Sequence, residues 1–171
     1  MNDRAKAVRL MLFDVDGVMT DGGLHYTDSG EEIKVFNTLD GLGIKLLRAT
    51  GVRLGIITGR TSRIVEHRAR HLGIDFLHQG AHDKLEVFHQ VLEQAGVRAE
   101  ECGYMGDDVI DLPVLRRVGF SVAVPDAPEL VRHHVHYVTG LPGGRGAVRE
   151  VCEHIMRAQG TLDAALEPFL R

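Results

Sequence analysis

The chain has 171 residues, is 44% apolar and 5% aromatic with no tryptophan, and carries a net charge of −4. That length suits one domain with a full aliphatic core. The basic residues are scattered, which excludes a nucleic-acid face or a polybasic membrane segment, and no apolar run approaches the ~18 residues of a membrane span, so a cytoplasmic protein is expected. Cys102 and Cys152 lack a C-x-x-C spacing and are expected as buried, reduced thiols. Ten histidines invite a zinc site, but His133, His134 and His136 have no carboxylate or cysteine at ligand spacing and read as surface groups.

Val8 to Phe13 is an apolar run that reads as a strand buried on both faces, and it stops at Asp14-Val15-Asp16-Gly17. In an open parallel sheet, ligands bind just beyond the carboxyl ends of the strands. Carboxylates at i and i+2 point the same way there and repel unless a cation joins them or one takes a proton. The pair can therefore divide its labour, one as metal ligand and nucleophile, the other as proton donor and acceptor. An acidic turn that only caps the strand is the plain alternative. An EF-hand loop fits poorly, because Gly17 comes too early and the place of the closing glutamate is taken by His25.

Residues 23–37 read as a β-hairpin turning at Asp28-Ser29-Gly30. So small a domain cannot bury both faces of such a hairpin, so it shields the site or pairs with another subunit. Asp40-Gly41 starts a helix through Ile44, Leu46 and Leu47 that stops at Thr50-Gly51. Val52 to Thr58 is the next core strand, and a helix follows from about Ser62 to His71. Thr58-Gly59 at that strand end suits an anion such as phosphate, with an ordinary helix N-cap as the alternative.

Ile74 to His78 is a short strand. Asp83 begins a helix to Ala95 with Lys84 in its first turn, where the helix dipole disfavours a cation. Glu101 to Met105 is a strand ending in Gly106-Asp107-Asp108-Val109-Ile110-Asp111. Here Asp107 and Asp111 can share a face, and Asp108 can be an N-cap. Phe120 to Val124 is a strand, Ala127 to Arg132 a short helix and Tyr137-Val138 a last strand. Gly140 to Gly146 reads as a flexible loop, and Ala147 to Ala158 as a helix. The tail forms a short amphipathic helix through Leu162, Leu166 and Phe169. The βαβα alternation argues an α/β fold, an open parallel sheet with helices on both faces.

The ordered set Asp14-x-Asp16-Gly17, Thr58, Lys84 and Gly106-Asp107-Asp108-x-x-Asp111 resembles the haloacid dehalogenase superfamily. The wording of residues 13–22, with Ile57-Thr58-Gly59-Arg60, Gln79-Gly80 and the run Gly143 to Glu150, is similar to its capless phosphatases acting on 3-deoxy-D-manno-octulosonate 8-phosphate (KDO 8-phosphate). The resemblance implies a three-layer Rossmann-like fold over the whole chain, with a protruding hairpin and no cap domain. It also implies a magnesium-dependent hydrolase working toward the lipopolysaccharide inner core. Asp14 would attack phosphorus and become an aspartyl phosphate, and Asp16 would protonate the leaving alkoxide and then deprotonate water. Mg2+ would bridge Asp14, the Asp16 backbone carbonyl and Asp107, which suits a hard, oxygen-only site. Thr58 and Lys84 would bind phosphoryl oxygens beside Gly59, with Asp108 and Asp111 fixing metal waters and the lysine.

The intervals between Asp14, Thr58 and Asp107 are used up by elements already placed, leaving no room for a lid. Capless relatives exclude water by forming homotetramers through their hairpins, a part that segment 23–37 suits, and Gly143 to Gly146, with Arg145, could fold over the sugar. Arg60, where nonulosonate 9-phosphate phosphatases have glutamate, can pair with the substrate carboxylate, and Arg68, two helical turns on, is expected on the same side. His71 has no assigned role. A nonulosonate 9-phosphate or another phosphosugar is the alternative substrate. A receiver-type signalling domain lacks a base at the position of Asp16, and a phosphatase-like oligomerisation module would lack part of the set.

Overall fold

The computed structural model describes residues 2–171. A short helix α1 (Asn2–Lys6), which the sequence pattern does not announce, leads into β1 (Leu10–Phe13). The hairpin follows as β2 (His25–Tyr26) and β3 (Glu32–Ile33), then α2 (Thr38–Ala49), β4 (Arg53–Ile57), α3 (Arg63–Leu72), β5 (Phe76–His78) and α4 (Lys84–Ala95). The second half runs β6 (Cys102–Gly106), α5 (Leu112–Leu115), β7 (Phe120–Ala123), α6 (Glu129–Arg132), β8 (Tyr137–Val138), α7 (Ala147–Gln159) and α8 (Leu162–Leu166), with a final 3-10 turn, Glu167–Phe169.

Six strands form one parallel sheet in the order β5-β4-β1-β6-β7-β8, the Rossmann-like arrangement in which the chain first winds one way from β1 and then the other. β1, β6 and β7 are buried along their whole length, as the apolar runs require. Helices α2 and α3 pack on one face, where α7 lies along α2 and α1 along α7, while α4 and α5 pack together against the other. The fold is therefore the three-layer α/β architecture expected. The winding reverses between β1 and β6, whose register pairs Phe13 with Met105. The two acidic strand ends, Asp14 and Asp107, thus emerge side by side at the switch point, where ligands of such sheets bind.

Several helix boundaries differ from expectation for identifiable reasons. The α2 N-cap is Asn37, whose side chain accepts from Leu39 and Asp40 amides, so the helix begins before Asp40. Asp40 is instead buried and takes hydrogen bonds from the amides of Gly146 and Arg149, capping α7 from a distant part of the chain. Ser62, not Thr58, caps α3, and Gly73 and Gly96 end α3 and α4 in the left-handed conformation. The tail helix stops at Leu166 because Pro168 cannot continue it, leaving Phe169 exposed.

The Gly140 to Gly146 segment is not a free loop. Glu150 accepts from the amides of Gly140 and Leu141 and from the Tyr137 hydroxyl. Gly143 lies so close to the Gly17 carbonyl that a Cβ there would collide with it, and the Gly144 amide donates to Val18 O at 3.0 Å. The segment is thus packed onto the turn that carries Asp16. Both cysteines are free and buried, and no helix among the described residues is long and apolar enough to cross a membrane. The clustered histidines face different partners: Glu129 for His133, Leu130 O for His134 and Ser121 for His136.

Candidate active site

Beyond β1, β4 and β6 lies a cavity of about 210 Å³ lined by Asp14, Asp16, Gly22, Thr58, Gly59, Arg60, Asp107, Asp108 and Ile110. The sequence-predicted strand ends thus meet round one space. Gly17 is what lets them approach: its φ of 82° makes the turn after Asp16, and a Cβ there would strike the Asp107 carboxylate.

Asp14 is buried, with Oδ1 accepting from the Val15 amide at 2.7 Å and Oδ2 facing Lys84 Nζ at 2.7 Å. Lys84, from the first turn of α4, also reaches Asp111 Oδ1 at 2.7 Å and is itself buried. Asp111 is saturated. Its Oδ1 takes Lys84 and the Tyr104 hydroxyl (2.6 Å), and its Oδ2 takes the amides of Asp107 (3.0 Å) and Asp108 (3.2 Å). It therefore anchors the lysine and shapes the loop that presents Asp107. Asp108 caps the 3-10 turn Val109–Asp111 through the Val109 amide, so it serves as an N-cap while lining the cavity.

Burial pushes Asp14 up to about 6 despite Lys84, and burial, with the charges of Asp14 and Asp111, pushes Asp107 up to about 7. Burial also works against the Lys84 ammonium, but Asp14 and Asp111 outweigh it and hold its pKa above the ordinary value. Oxygens of Asp14, Asp107 and Asp111 lie within 4.8 Å of one another. Each Asp111 oxygen already takes two donors, whereas each Asp14 oxygen takes one, so Asp14 and Asp107 are the carboxylates with lone pairs left for an ion. Two desolvated carboxylates, one of which raises the pKa of the other, form a hard, oxygen-only set that fits a divalent cation such as Mg2+. The Asp107 carboxylate accepts no hydrogen bond from any described residue, which leaves both its oxygens to such an ion.

Asp16 is half-buried and meets a cation that the sequence pattern does not signal: Lys34 Nζ, 2.5 Å from Oδ1. Lys34 comes from the hairpin and also contacts Glu32 at 3.1 Å. The same Glu32 oxygen takes Arg60 at 2.9 Å, as does the Tyr26 hydroxyl, and Arg60 Nε lies 3.9 Å from Asp16 Oδ2. Thr58 is buried at the end of β4, its amide bonded to His78 O; with Ser62 capping α3, its hydroxyl has no hydrogen-bond partner among the described residues and faces the cavity it lines. Arg145 is exposed beside an adjoining cavity that shares Gly22 and Asp107 with the first, 3.9 Å from Asp21.

Arg68 is not brought to this cavity. It donates to Asn37 O at 3.1 Å, lies over the Phe36 ring and lines a separate groove between α2 and α3 with Lys45 and His71. The expected shared side with Arg60 fails because Arg60 precedes the helix, which starts at Arg63, so helical spacing does not relate the two. Tyr104 and Lys34 are site residues that sequence reasoning misses: one reads as a core aromatic in an apolar strand, the other as a solvated hairpin lysine.

A family model of haloacid dehalogenase-like hydrolases matches residues 24–119. The chain is 49% identical over 162 residues to the 3-deoxy-D-manno-octulosonate 8-phosphate phosphatase of Yersinia pestis, an alignment spanning 95% of this chain and 87% of the relative. It is similar to the crystal structure of a "probable YrbI family phosphatase" from Pseudomonas syringae, with 52% identity, a TM-score of 0.98 and coverage of 99% and 97%. It is also similar to the 3-deoxy-D-manno-octulosonate 8-phosphate phosphatase of Moraxella catarrhalis in complex with a magnesium ion, a phosphate ion and KDO, with 42% identity, a TM-score of 0.96 and coverage of 98% and 97%.

Proposed function

The chain belongs to the haloacid dehalogenase-like hydrolases, and on that footing we propose that it is a Mg2+-dependent phosphomonoesterase. Its substrate is 3-deoxy-D-manno-octulosonate 8-phosphate, cleaved in the cytoplasm to KDO and phosphate on the way to lipopolysaccharide. The observation that carries the reading is the meeting of Asp14, Asp16, Thr58 and Asp107 round one cavity, with Lys84 on Asp14, in a chain 49% identical to a phosphatase of that substrate. Residues 1–171 serve as one phosphatase domain, from the hairpin at 23–37 to the loop and tail at 140–171.

Asp14 attacks phosphorus and is released again when water hydrolyses the aspartyl phosphate. Lys84, fixed by Asp111 and Tyr104, holds one Asp14 oxygen in place and offers its charge to the phosphoryl oxygens, which the Thr58 hydroxyl also binds beside Gly59. Asp16 gives a proton to the departing sugar oxygen and takes one from the attacking water. Mg2+, when bound, offsets the charge of carboxylates and phosphate dianion so that the two can approach. Asp14, Asp107 and the Asp16 main-chain carbonyl would hold it, with Asp108 and Asp111 behind them. Arg60 receives the sugar carboxylate and Arg145 closes from the other side of Asp107; Arg68, away from this cavity within one subunit, keeps a part only where a neighbouring subunit approaches.

A homotetramer built through the hairpin is the proposed assembly. It is supported by the exposed Leu24, Tyr26, Ile33 and Val35 at 50% or more, an apolar surface that water does not favour and a neighbour would cover. The testing experiment is phosphate release with magnesium from KDO 8-phosphate, run beside a nonulosonate 9-phosphate and common hexose phosphates. Strong preference for the eight-carbon acid is expected. Broad, weak hydrolysis would remove the substrate while leaving the site, and no hydrolysis with metal bound would turn the reading to a non-catalytic oligomerisation module.

A further inference from the structure

Asp16 is held differently from the other site carboxylates. Asp14 is fixed by a backbone amide and Lys84, and Asp111 by four donors. Asp16 has one hydrogen-bond donor among the described residues, Lys34, on Oδ1. A carboxylate with one anchor is free to swing without it.

The hairpin is built to supply that anchor. Along β3 and its continuation, Ile33 and Val35 point outward at 50% and 63% exposure, whereas Glu32 and Lys34 alternate with them and face the site. The Lys34 side chain is only 4% exposed, an unusual burial for a lysine on a hairpin, and it is matched by two carboxylates. Glu32 Oε1 bridges Lys34 and Arg60, so the hairpin fixes the lysine and the arginine together. Among the described residues no donor reaches Asp16 Oδ2 within hydrogen-bond distance, Arg60 Nε being 3.9 Å away.

We infer that Lys34 is the positioning residue for Asp16: its ammonium fixes Oδ1 and so leaves Oδ2 as the oxygen that carries the proton. This rests on the reading of Asp16 as proton donor and acceptor. As the phosphorus–oxygen bond to the sugar breaks and Asp14 gains the phosphoryl group, the Oδ2 proton passes to the sugar oxygen. When water attacks the aspartyl phosphate, its proton returns to Oδ2 and the Asp14–phosphorus bond breaks. Lys34 keeps its own protons throughout.

The test compares Lys34→Met, Lys34→Arg and wild type on KDO 8-phosphate and on aryl phosphates running from p-nitrophenyl to phenyl phosphate. The p-nitrophenolate group leaves without a proton and phenolate needs one more, and neither carries a sugar for Lys34 to touch. Lys34→Met is expected to lower kcat on KDO 8-phosphate by about 10²-fold with little change in KM. Its kcat/KM should fall about tenfold more on phenyl than on p-nitrophenyl phosphate, with Lys34→Arg restoring most of both losses. Equal loss across the aryl series, or a loss confined to KM for the sugar phosphate, overturns the inference in favour of a structural or sugar-binding lysine. Wild type that cleaves aryl phosphates but not KDO 8-phosphate removes the substrate proposal and leaves the aryl comparison to decide Lys34; wild type that cleaves no ester removes both.

Discussion

Two lysine–aspartate pairs stand a few residues apart in this site and are built in opposite ways. The ammonium groups are equally shielded, Lys84 at 3% and Lys34 at 4% side-chain exposure. Their partners are not: Asp14 and Asp111 are at 7% and 0%, Asp16 and Glu32 at 24% and 16%. The first pair is set by the sheet and by the start of a twelve-residue helix, with Tyr104 behind it. The second is set by a hairpin whose strands are two residues each. On the proposed mechanism, a charge that must stay fixed while phosphorus changes hands is thus made part of the core. The group proposed to lose and regain a proton is left within reach of water.

The largest effect that sharpens this contrast is expected from Asp14→Asn. The change removes the charge of the proposed nucleophile but keeps the shape and a hydrogen-bond acceptor for Lys84. Phosphate release should fall by roughly 10⁴-fold or more, while circular dichroism and sedimentation remain those of wild type. Turnover that survives would take the nucleophile's part away from Asp14.

Next comes stability. Lys84→Met leaves Asp14 and Asp111 buried face to face without a cation, and breaking a buried pair in that way costs about 3–5 kcal/mol. Lys34→Met leaves carboxylates that can still hydrate, so its cost should be about 1 kcal/mol or less. Urea unfolding of the two variants measures both. Equal losses would show that the hairpin pair is as much part of the fold as the core pair.

The same contrast governs what is legible in the sequence. Apolar strands ending abruptly in Asp14, Thr58 and Asp107 stand out because a buried run rarely breaks into polar residues without a ligand or a cap to meet, and parallel winding then brings the ends together. Lys84 stands out because a cation in a first helical turn is out of place. Tyr104 does not, since a tyrosine in a buried strand packs like any aromatic until a distant carboxylate reaches its hydroxyl. Lys34 carries no signal, because hairpin lysines are ordinarily solvated and only the fold of residues 23–37 onto Asp16 makes this one different. Arg68 shows the reverse error: a helical spacing applied across the loop before α3 places it on a face it does not share. Asp40, which reads as a helix start, caps α7 more than a hundred residues away, a long-range partner that no local pattern encodes.

The smallest effect concerns pH and separates the two pairs by metal dependence. Asp14 and Asp107, at about 6 and about 7, bind protons more tightly folded than unfolded, where both titrate near 3.8. Between those values the folded state holds more protons, so these two groups make the metal-free protein less stable as pH rises from about 4 to about 7. His136 and His154, whose pKa values burial lowers, act with the opposite sign through the histidine range, and His154 Nε2 is buried without a partner among the described residues. The difference between melts with magnesium and with EDTA isolates the carboxylates, because on the proposed ligand set the only titrating groups for which the ion competes with protons are Asp14 and Asp107. That difference should be small near pH 5, grow toward pH 8, and survive Lys34→Met unchanged, since the hairpin lysine touches Asp16 and not the cation site. A magnesium shift independent of pH would mean that the ion does not displace protons from these carboxylates. A shift lost in Lys34→Met would mean that the hairpin and the core pair act as one unit.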